Sequence, residues 1–296
     1  MSFSFLIAAA VVTATACAES TVDFDSQIVP IFTKAGCNVA ACHGAAAGRG
    51  GFHLSLWGLN PEADYKAIVR QYKGRRVNLA DAEESLLLLK GGGQMEHGGE
   101  DALSRAAGGE QRILTWIRHG AKRHSSRRLR QLLVAPSGTA RVAVGGTVNL
   151  KATAVFEDGT QERVTKWVVF AADDPTAVAI DQEHITAKVT RGGRHVVLAR
   201  FMNQVVPLVL LSPLTDTKPA YAENQRLNKN DDYVLATLKE LGLPASPPAD
   251  DRTFARRLFL DLTGRLPSPE RLDRFVGDRS PTKRVDLISR LLESEA

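Results

Sequence analysis

The spacing of apolar residues predicts helices at both ends of the chain and strands in the middle. Near the N-terminus, one apolar face recurs at helical spacing just before a pair of cysteines. Its residues are Phe24, Ile28, Ile31 and Phe32. Pro30 falls inside this stretch, so we expect it to lie near a helix start or to make a kink.

Two more helices are predicted in the first 125 residues. Residues 81–90 join an acidic start to four consecutive leucines, which predicts a short, capped and buried helix. Residues 111–121 predict another, with Gly120 as a natural stop. Its apolar face consists of Ile113, Leu114, Trp116 and Ile117. The glycine-rich loop between these helices, 91–99, lacks the Gly-Lys-Ser/Thr ending of a phosphate-binding loop.

From Leu132 to Leu214 apolar and polar residues alternate with the period of a half-buried strand. The expected strands are 148–156, 164–170, 178–180, 185–189, 195–201 and 205–211, and they are separated by turn signals at 157–160, 173–175 and 191–193. This spacing predicts a β-sandwich. We place Trp167 in its core and interpret His184 and His195 as ordinary strand residues.

The last segment returns to helical spacing. The residues expected to point inward are Val234, Leu235, Leu238, Leu241, Phe254, Leu258, Leu262, Val285, Ile288, Leu291 and Leu292. Ser268 should cap a helix that has Pro269 at its first position, and Ser280-Pro281 repeats that arrangement. These short helices lack obvious partners in the chain, so we expect the segment to be the start of a larger domain.

Residues 1–18 have the pattern of a signal peptide. The apolar core 3–12 is too short to span a membrane, and 16–18 form a small-residue cleavage site, although no Lys or Arg precedes the core. Cys17 as a lipoprotein cysteine is an alternative that lacks the usual leucine. The sequence therefore predicts an exported protein, periplasmic or at the cell surface, with no transmembrane segment in its mature chain.

Composition narrows the class of protein. The 296 residues suffice for two or three domains, and 44% hydrophobic with 24% charged residues is typical of a folded globular chain. The net charge of +5 is modest and does not indicate nucleic-acid binding. Three cysteines are too few for a disulfide scaffold. The basic run 122–130 is interpreted as a solvated linker, with a docking patch for an acidic partner as the alternative.

The strongest chemical signal lies in 36–44, where His43 directly follows the second of two cysteines, Cys37 and Cys42. Each thiol can add to a vinyl group of haem, and His43 can then bind the iron as proximal ligand. The usual signature has two residues between the cysteines; here there are four, of which two can bulge outward. Three alternatives stay open: a Cys37–Cys42 disulfide, a zinc site, which needs two more ligands, and two buried free cysteines.

A six-coordinate haem iron needs a second axial ligand. Met95 and His97 are the candidates in the glycine-rich loop. His53 is expected to be a surface or packing histidine. His119 and His124 flank a helix end, where the dipole favours an imidazolium.

Several stretches resemble the planctomycete-type cytochrome c domain. They are 36–44, 51–58, 61–65, 74–80, 85–90, 97–99 and 116–121. The resemblance implies an α-helical, cytochrome c-like fold with covalently bound haem c. The wider cysteine spacing is familiar in that family. Its members have His-Gly-Gly at the position of 97–99, which makes His97 rather than Met95 the expected distal ligand.

Two further resemblances cover the rest of the chain. Residues 134–211 resemble a bacterial Ig-like domain of group 2, through 144–146, 152–154, 158–160, 164–165 and the Trp167 strand. Residues 230–294, with 256–258 and 260–264, resemble the start of an uncharacterised domain that accompanies such cytochromes. Relatives of that domain continue further, so the chain is expected to be an N-terminal fragment.

Together these inferences predict a multi-domain protein. The expected parts are a signal peptide (1–18), a haem domain (19–125), an Ig-like all-β sandwich (126–214), a linker (215–230) and an α-helical segment (231–296). Cys37 and Cys42 would hold haem c, with His43 and His97 on its iron. Arg75 and Arg76 are candidates for its propionates, with a plain surface role as the alternative.

The leading hypothesis is one-electron transfer, with an unknown redox partner or with a C-terminal domain outside this chain. We interpret the protein as an electron carrier rather than a catalyst. The rival hypothesis is a non-redox surface or adhesion protein. In that case the sandwich binds a polymer or partner, and Cys37–Cys42 is a disulfide.

Overall fold

In the computed structural model of the chain, the described residues are 22–125, 127–216, 219 and 228–293. They divide into two compact units, the first ending at Asp216 and the second beginning at Thr217. The expected signal peptide and Cys17 lie outside the described residues. Among the residues that are described, no helix is long and apolar enough to cross a bilayer.

Four short helices form the first part of the chain. They are α1 (Val29–Ala35), α2 (Pro61–Tyr65), α3 (Leu86–Gly91) and α4 (Gly109–Arg118). A π-helical turn, Phe24–Ile28, leads directly into α1, and Pro30 lies in the first turn of α1. All four residues of the predicted apolar face before the cysteines are buried, as is the central Trp116 of α4. The apolar face predicted before the cysteines is therefore confirmed.

The predicted helix at 81–90 is wrong in its start and in its cap. The α3 helix begins at Leu86, and the Ser85 hydroxyl accepts the Asn78 N–H instead of capping the helix. Leu88 is buried, whereas Leu86 and Leu87 are half-buried because they line an open cavity. The leucine run therefore forms a cavity wall rather than a closed core.

Ten strands, between Leu129 and Ser212, form a β-sandwich-like region with three small sheets. The strands are β1 (Leu129–Ala135), β2 (Thr139–Arg141), β3 (Thr147–Asn149), β4 (Lys151–Phe156), β5 (Gln161–Arg163), β6 (Val169–Ala172), β7 (Val178–Asp181), β8 (Thr186–Val189), β9 (Gly193–Phe201) and β10 (Gln204–Ser212). The sheet orders are β1-β4-β5, β2-β10-β9-β6 and β3-β8-β7. Antiparallel pairing of β9 with β10 runs the full length of both strands, from Gln204 opposite Phe201 to Ser212 opposite Gly193. The all-β character predicted for this segment is confirmed.

Several predicted strands differ in detail. The segment 148–156 is divided at the buried Leu150, so that β3 and β4 join different sheets. The segment 164–170 begins with a 3₁₀ turn, Thr165–Trp167, before β6, although Trp167 is buried as predicted. Strands β1, β2 and β5 were not predicted; β2 and β5 have only three residues each, too few to show a period. His195 lies in β9, whereas His184 lies in the turn before β8 and pairs with Asp181.

Direct contacts join the first helical segment to the sandwich. The Lys34 ammonium donates to the Val168 carbonyl at 3.0 Å and to the Gln182 side-chain oxygen at 2.7 Å. The Arg200 guanidinium lies over the Trp57 ring, 4.8 Å from its centroid. Burial lowers the pKa of Lys34 to about 8. One continuous core of buried residues runs through both segments.

The second unit is helical, as predicted. It consists of α5 (Lys229–Leu241), α6 (Asp251–Thr263), α7 (Pro269–Gly277) and α8 (Lys283–Leu292). Ser268 caps α7 and Pro269 begins it, which confirms that prediction. The prediction for Ser280-Pro281 is wrong, since Thr282 is the residue that precedes α8. The buried residues are Ala255, Phe259, Phe275, Leu287 and Leu291, whereas Val234, Leu262, Val285 and Leu292 are exposed rather than inward.

Candidate functional site

One cavity of the first helical segment brings the sequence-predicted site residues together. It has a volume of about 460 Å³, within the range of small-molecule pockets. Cys37, Cys42, His43 and His97 all line it. The apolar part of the remaining wall is formed by Phe32, Phe52, Leu54, Leu86, Leu87 and Leu103.

The end of α1 places Cys37 at the cavity. Gly36 adopts the left-handed conformation (φ 81°) that ends the helix, and the Cys37 N–H then bonds to the Phe32 carbonyl. The following turn closes on itself, because the His43 N–H donates to the Cys37 carbonyl at 3.0 Å. Ala40 and Ala41, between the two cysteines, are exposed, in line with the outward bulge expected of the wider spacing.

The two cysteines are not bonded to each other. Burial, followed by the proximity of Cys42, raises the pKa of the Cys37 thiol to about 12. Cys37 is therefore protonated at neutral pH. Within the residues that the structure describes, no three His, Cys, Asp or Glu side chains lie close enough together to hold a metal ion by themselves.

His43 is held in the tautomer that a metal ligand needs. Its Nδ1 lies 3.0 Å from the Phe52 carbonyl oxygen, which can only accept a hydrogen bond. The proton therefore sits on Nδ1, and Nε2 keeps a free lone pair. Burial lowers the pKa of His43, and the nearby His97 and Arg76 lower it further against the hydrogen bond to Phe52. A neutral imidazole at pH 7 follows from these effects.

His97 faces His43 across the cavity. The two ring centroids are 5.8 Å apart and their planes differ by 14°. A metal ion between two imidazoles, at about 2 Å from each nitrogen, places the ring centroids roughly 6 Å apart. The Gly99 N–H donates to His97 Nδ1 at 3.3 Å, so the neutral ring carries its proton on Nε2. Coordination through Nε2 requires that proton to move to Nδ1 and this long hydrogen bond to break.

The other candidates for a distal ligand lie outside the cavity lining. Met95 is 41% exposed, and His53 is also exposed. The His119 Nδ1 lies 2.7 Å from the Thr115 carbonyl in the preceding turn of α4. The His124 carbonyl accepts the Phe24 N–H, and its side chain is exposed.

Arg76 forms a buried cationic part of the cavity wall. It is 7% exposed, and its guanidinium lies 4.3 Å from the Phe52 ring centroid and 5.3 Å from that of Tyr72. It donates to the Ala67 carbonyl at 2.9 Å and the Gly51 carbonyl at 3.2 Å. No carboxylate of the described residues pairs with it, and burial lowers its pKa. Burial of such a charge without an anion costs free energy. The cavity therefore suits a ligand with an acidic group.

The whole lining has one sign of charge. Its charged side chains are Arg49, Arg75, Arg76 and Lys90, and none of the described lining residues is Asp or Glu. Of the two arginines predicted from the sequence, Arg76 is buried in the wall and Arg75 is exposed. Sequence reasoning missed Arg49, Lys90 and the lining residue Tyr72, because they belong to separate loops that only the fold brings together.

Comparison with protein families matches residues 229–296 to PSCyt2, a protein of unknown function (DUF1549). This match supports the resemblance of residues 230–294 to the start of an uncharacterised domain. A comparison with curated proteins found no match.

Among solved structures, the chain is similar to domains 4 and 5 of the S-layer protein SbsC, with 16% identity and a TM-score of 0.25 over 30% of this chain and 54% of that one. It also matches SbsC domains 1–6, with 16% identity and a TM-score of 0.26 over 30% of this chain and 13% of that one. The chain thus spans about half, or less, of the length of these structures.

Proposed function

We propose that the first helical segment is a c-type cytochrome module that carries single electrons on a covalently bound haem. The observation that carries this proposal is the meeting of both cysteines and both histidines at one cavity, with the two imidazole rings facing each other at 5.8 Å. His43 would hold the iron as proximal ligand and His97 as distal ligand. Haem supplies the redox-active iron, and the protein supplies its attachment and surroundings.

The attachment needs no oxidant. Cys37 and Cys42 would hold the haem, each by adding its sulfur to one vinyl carbon while its thiol proton passed to the other. The Nδ1–H of His43 stays on the Phe52 carbonyl and fixes the ring with Nε2 free. The apolar wall would keep water from the bound group, and Arg76 would pair with one of its propionates.

Three other observations support this function. The similarity to PSCyt2 lies in the same chain, and its name suggests an association with cytochromes. The signal-peptide pattern predicts export, and haem c is assembled outside the cytoplasm. The single sign of charge in the lining also suits a dianionic ligand such as haem.

Intact-mass measurement tests the proposal directly. The full chain is produced in a host with haem c maturation, denatured in acid and weighed, and its pyridine haemochrome spectrum is recorded. We expect one haem that survives denaturation and a Cys37→Ala/Cys42→Ala variant that loses it. A mass of the apoprotein less two hydrogens would support the disulfide, and with it the rival surface protein.

A further inference from the structure

The open side of the cavity is strongly basic. Five lining residues are exposed and define what we call the cavity mouth: Arg49, Gly50, Tyr72, Arg75 and Gly98. Lys73 follows Tyr72 and is also exposed. A Cβ added at Gly50 or Gly98 would have no atom within 4 Å, so the space in front of these two residues is open.

The basic side chains at the mouth have no acidic partners. Among the described residues, no carboxylate pairs with Arg49, Lys73 or Arg75, although Arg75 lies 6.0 Å from the Tyr72 ring centroid. Some exposed arginines elsewhere in the described residues pair with carboxylates, whereas others, such as Arg141 and Arg194, do not. The pairs include Arg118 with Glu83, Arg191 with Asp174 and Arg252 with Asp273. Arg49, Lys73 and Arg75 therefore place positive charge at the mouth that no ion pair of the described residues compensates.

The basic run at 122–130 is less available. Arg123 binds Asp25 through two hydrogen bonds of 3.0 and 2.9 Å. Arg127 binds Glu162 at 2.7 Å, with its guanidinium 3.7 Å from the Phe156 ring centroid. These contacts remove Arg123 and Arg127 from the docking patch considered from the sequence, whereas Lys122, Arg128 and Arg130 are exposed.

We propose that the cavity mouth is the docking surface for an acidic redox protein. This inference rests on the proposed function, because the mouth is where the edge of a ligand in the cavity comes closest to solvent. Charges of one sign around such an opening raise the association rate of oppositely charged partners, by about 10- to 1000-fold in favourable cases. The two mouth glycines let that partner approach the cavity without displacing side chains.

The test follows oxidation of the reduced, haem-loaded full chain by two small oxidants of opposite charge, hexacyanoferrate(III) and tris(phenanthroline)cobalt(III), in a stopped-flow instrument. Ionic strength is varied from about 0.01 to about 0.15 M, which shortens the screening length from about 30 to about 8 Å. We expect the hexacyanoferrate rate to fall on the order of tenfold and the cobalt rate to rise. A polyaspartate peptide, which imitates an acidic protein surface, should slow hexacyanoferrate oxidation at low salt.

Two triple variants locate the effect. The variant Arg49→Gln/Lys73→Gln/Arg75→Gln should lose most of the salt dependence and the polyaspartate inhibition. The control Arg141→Gln/Lys151→Gln/Arg194→Gln removes the same charge from exposed positions on the sandwich and should keep both. Equal losses in the two variants, or no salt dependence in the native chain, would overturn the docking surface. Absence of haem in the starting protein would instead contradict the proposed function.

Discussion

At the scale of single residues, the two histidines of the cavity are prepared to different degrees. His43 already has its proton on the nitrogen that faces a backbone carbonyl, whereas His97 has its Nδ1 occupied by the Gly99 N–H. Ligation by His43 therefore needs no rearrangement, and ligation by His97 needs a proton shift. The adjacency of Cys42 and His43 was readable from the sequence. The tautomers depend on carbonyl and amide groups that only the folded backbone positions.

A pair of substitutions tests the distal ligand. His97→Ala should convert the low-spin spectrum of the haem-loaded protein to a high-spin or water-ligated one, because it removes the facing imidazole. Met95→Leu should leave the spectrum and the potential almost unchanged, since Met95 lies outside the cavity lining. Visible absorption and redox titration measure both. The opposite pattern would reverse the assignment, and no change in either would move the search to His53 and His119.

Arg76 and Arg75 provide a second matched pair. Arg76→Gln removes a buried cation from the cavity wall, and the ferric haem is more positive than the ferrous one, so the reduction potential should fall. We expect a fall on the order of tens of millivolts, because the interaction acts in a poorly solvated site. Arg75→Gln removes an exposed charge that solvent screens, and its effect should be several-fold smaller. Equal effects would show that burial of Arg76 does not matter to the iron.

At the scale of elements, close packing around α1 fixes the cavity wall. The turn Leu56–Gly58 lies against α1 so closely that a Cβ at Gly58 would stand 2.3 Å from Val29 Cγ1. The apolar face of α1 could be predicted because its helical period is regular. The start of α3 at Leu86 could not be predicted, since the Ser85 hydroxyl accepts a hydrogen bond from the Asn78 N–H of a different loop. The division of 148–156 between two sheets could not be predicted either, because apolar and polar residues alternate in the same way in the strands of both sheets.

Substitution of Gly58 tests this packing. Gly58→Ala should lower the free energy of unfolding by about 2–4 kcal/mol, through the clash with Val29 and the positive φ of 71°. Gly50→Ala is the control, because Gly50 has a similar φ of 57° but open space around it. Its cost should be about 1 kcal/mol. Urea denaturation of the two variants measures the difference, and similar midpoints would show that α1 yields to the added methyl group.

At the scale of the whole molecule, Lys34 ties the helical segment to the sandwich of the first unit. Its ammonium is held by Val168 and Gln182, neither of which carries a charge. The domain boundaries at 125 and 214 stay a prediction, but a single core runs through both sides of the first boundary. The change from helical to strand spacing in the sequence therefore did not reveal how closely the two segments pack. The residues that join the two segments are far apart in the sequence, and no sequence pattern marks them.

The lowered pKa of Lys34 gives this contact a pH dependence. In the folded chain Lys34 loses its proton near pH 8, and in the unfolded chain near 10.5, so the unfolded state binds more protons between these values. Stability due to Lys34 should thus rise with pH from about 8 to about 10.5, by about 1–2 kcal/mol after allowance for its partial exposure. Lys34→Met cannot titrate. The free energy of unfolding of the native chain minus that of the variant, both from urea denaturation, should rise across this pH window. A constant difference would contradict the buried cation.

The raised pKa of Cys37 has a consequence for the order of events in the making of the protein. A thiol that stays protonated at neutral pH reacts slowly with any electrophile that requires a thiolate. Burial is the largest cause of the raised pKa, so Cys37 has a larger thiolate fraction, and is more reactive, in the unfolded or newly exported chain than in the finished fold. Under the proposed function, attachment therefore belongs to the interval before α1 and its turn close, and a chain that folds too early would be slow to mature.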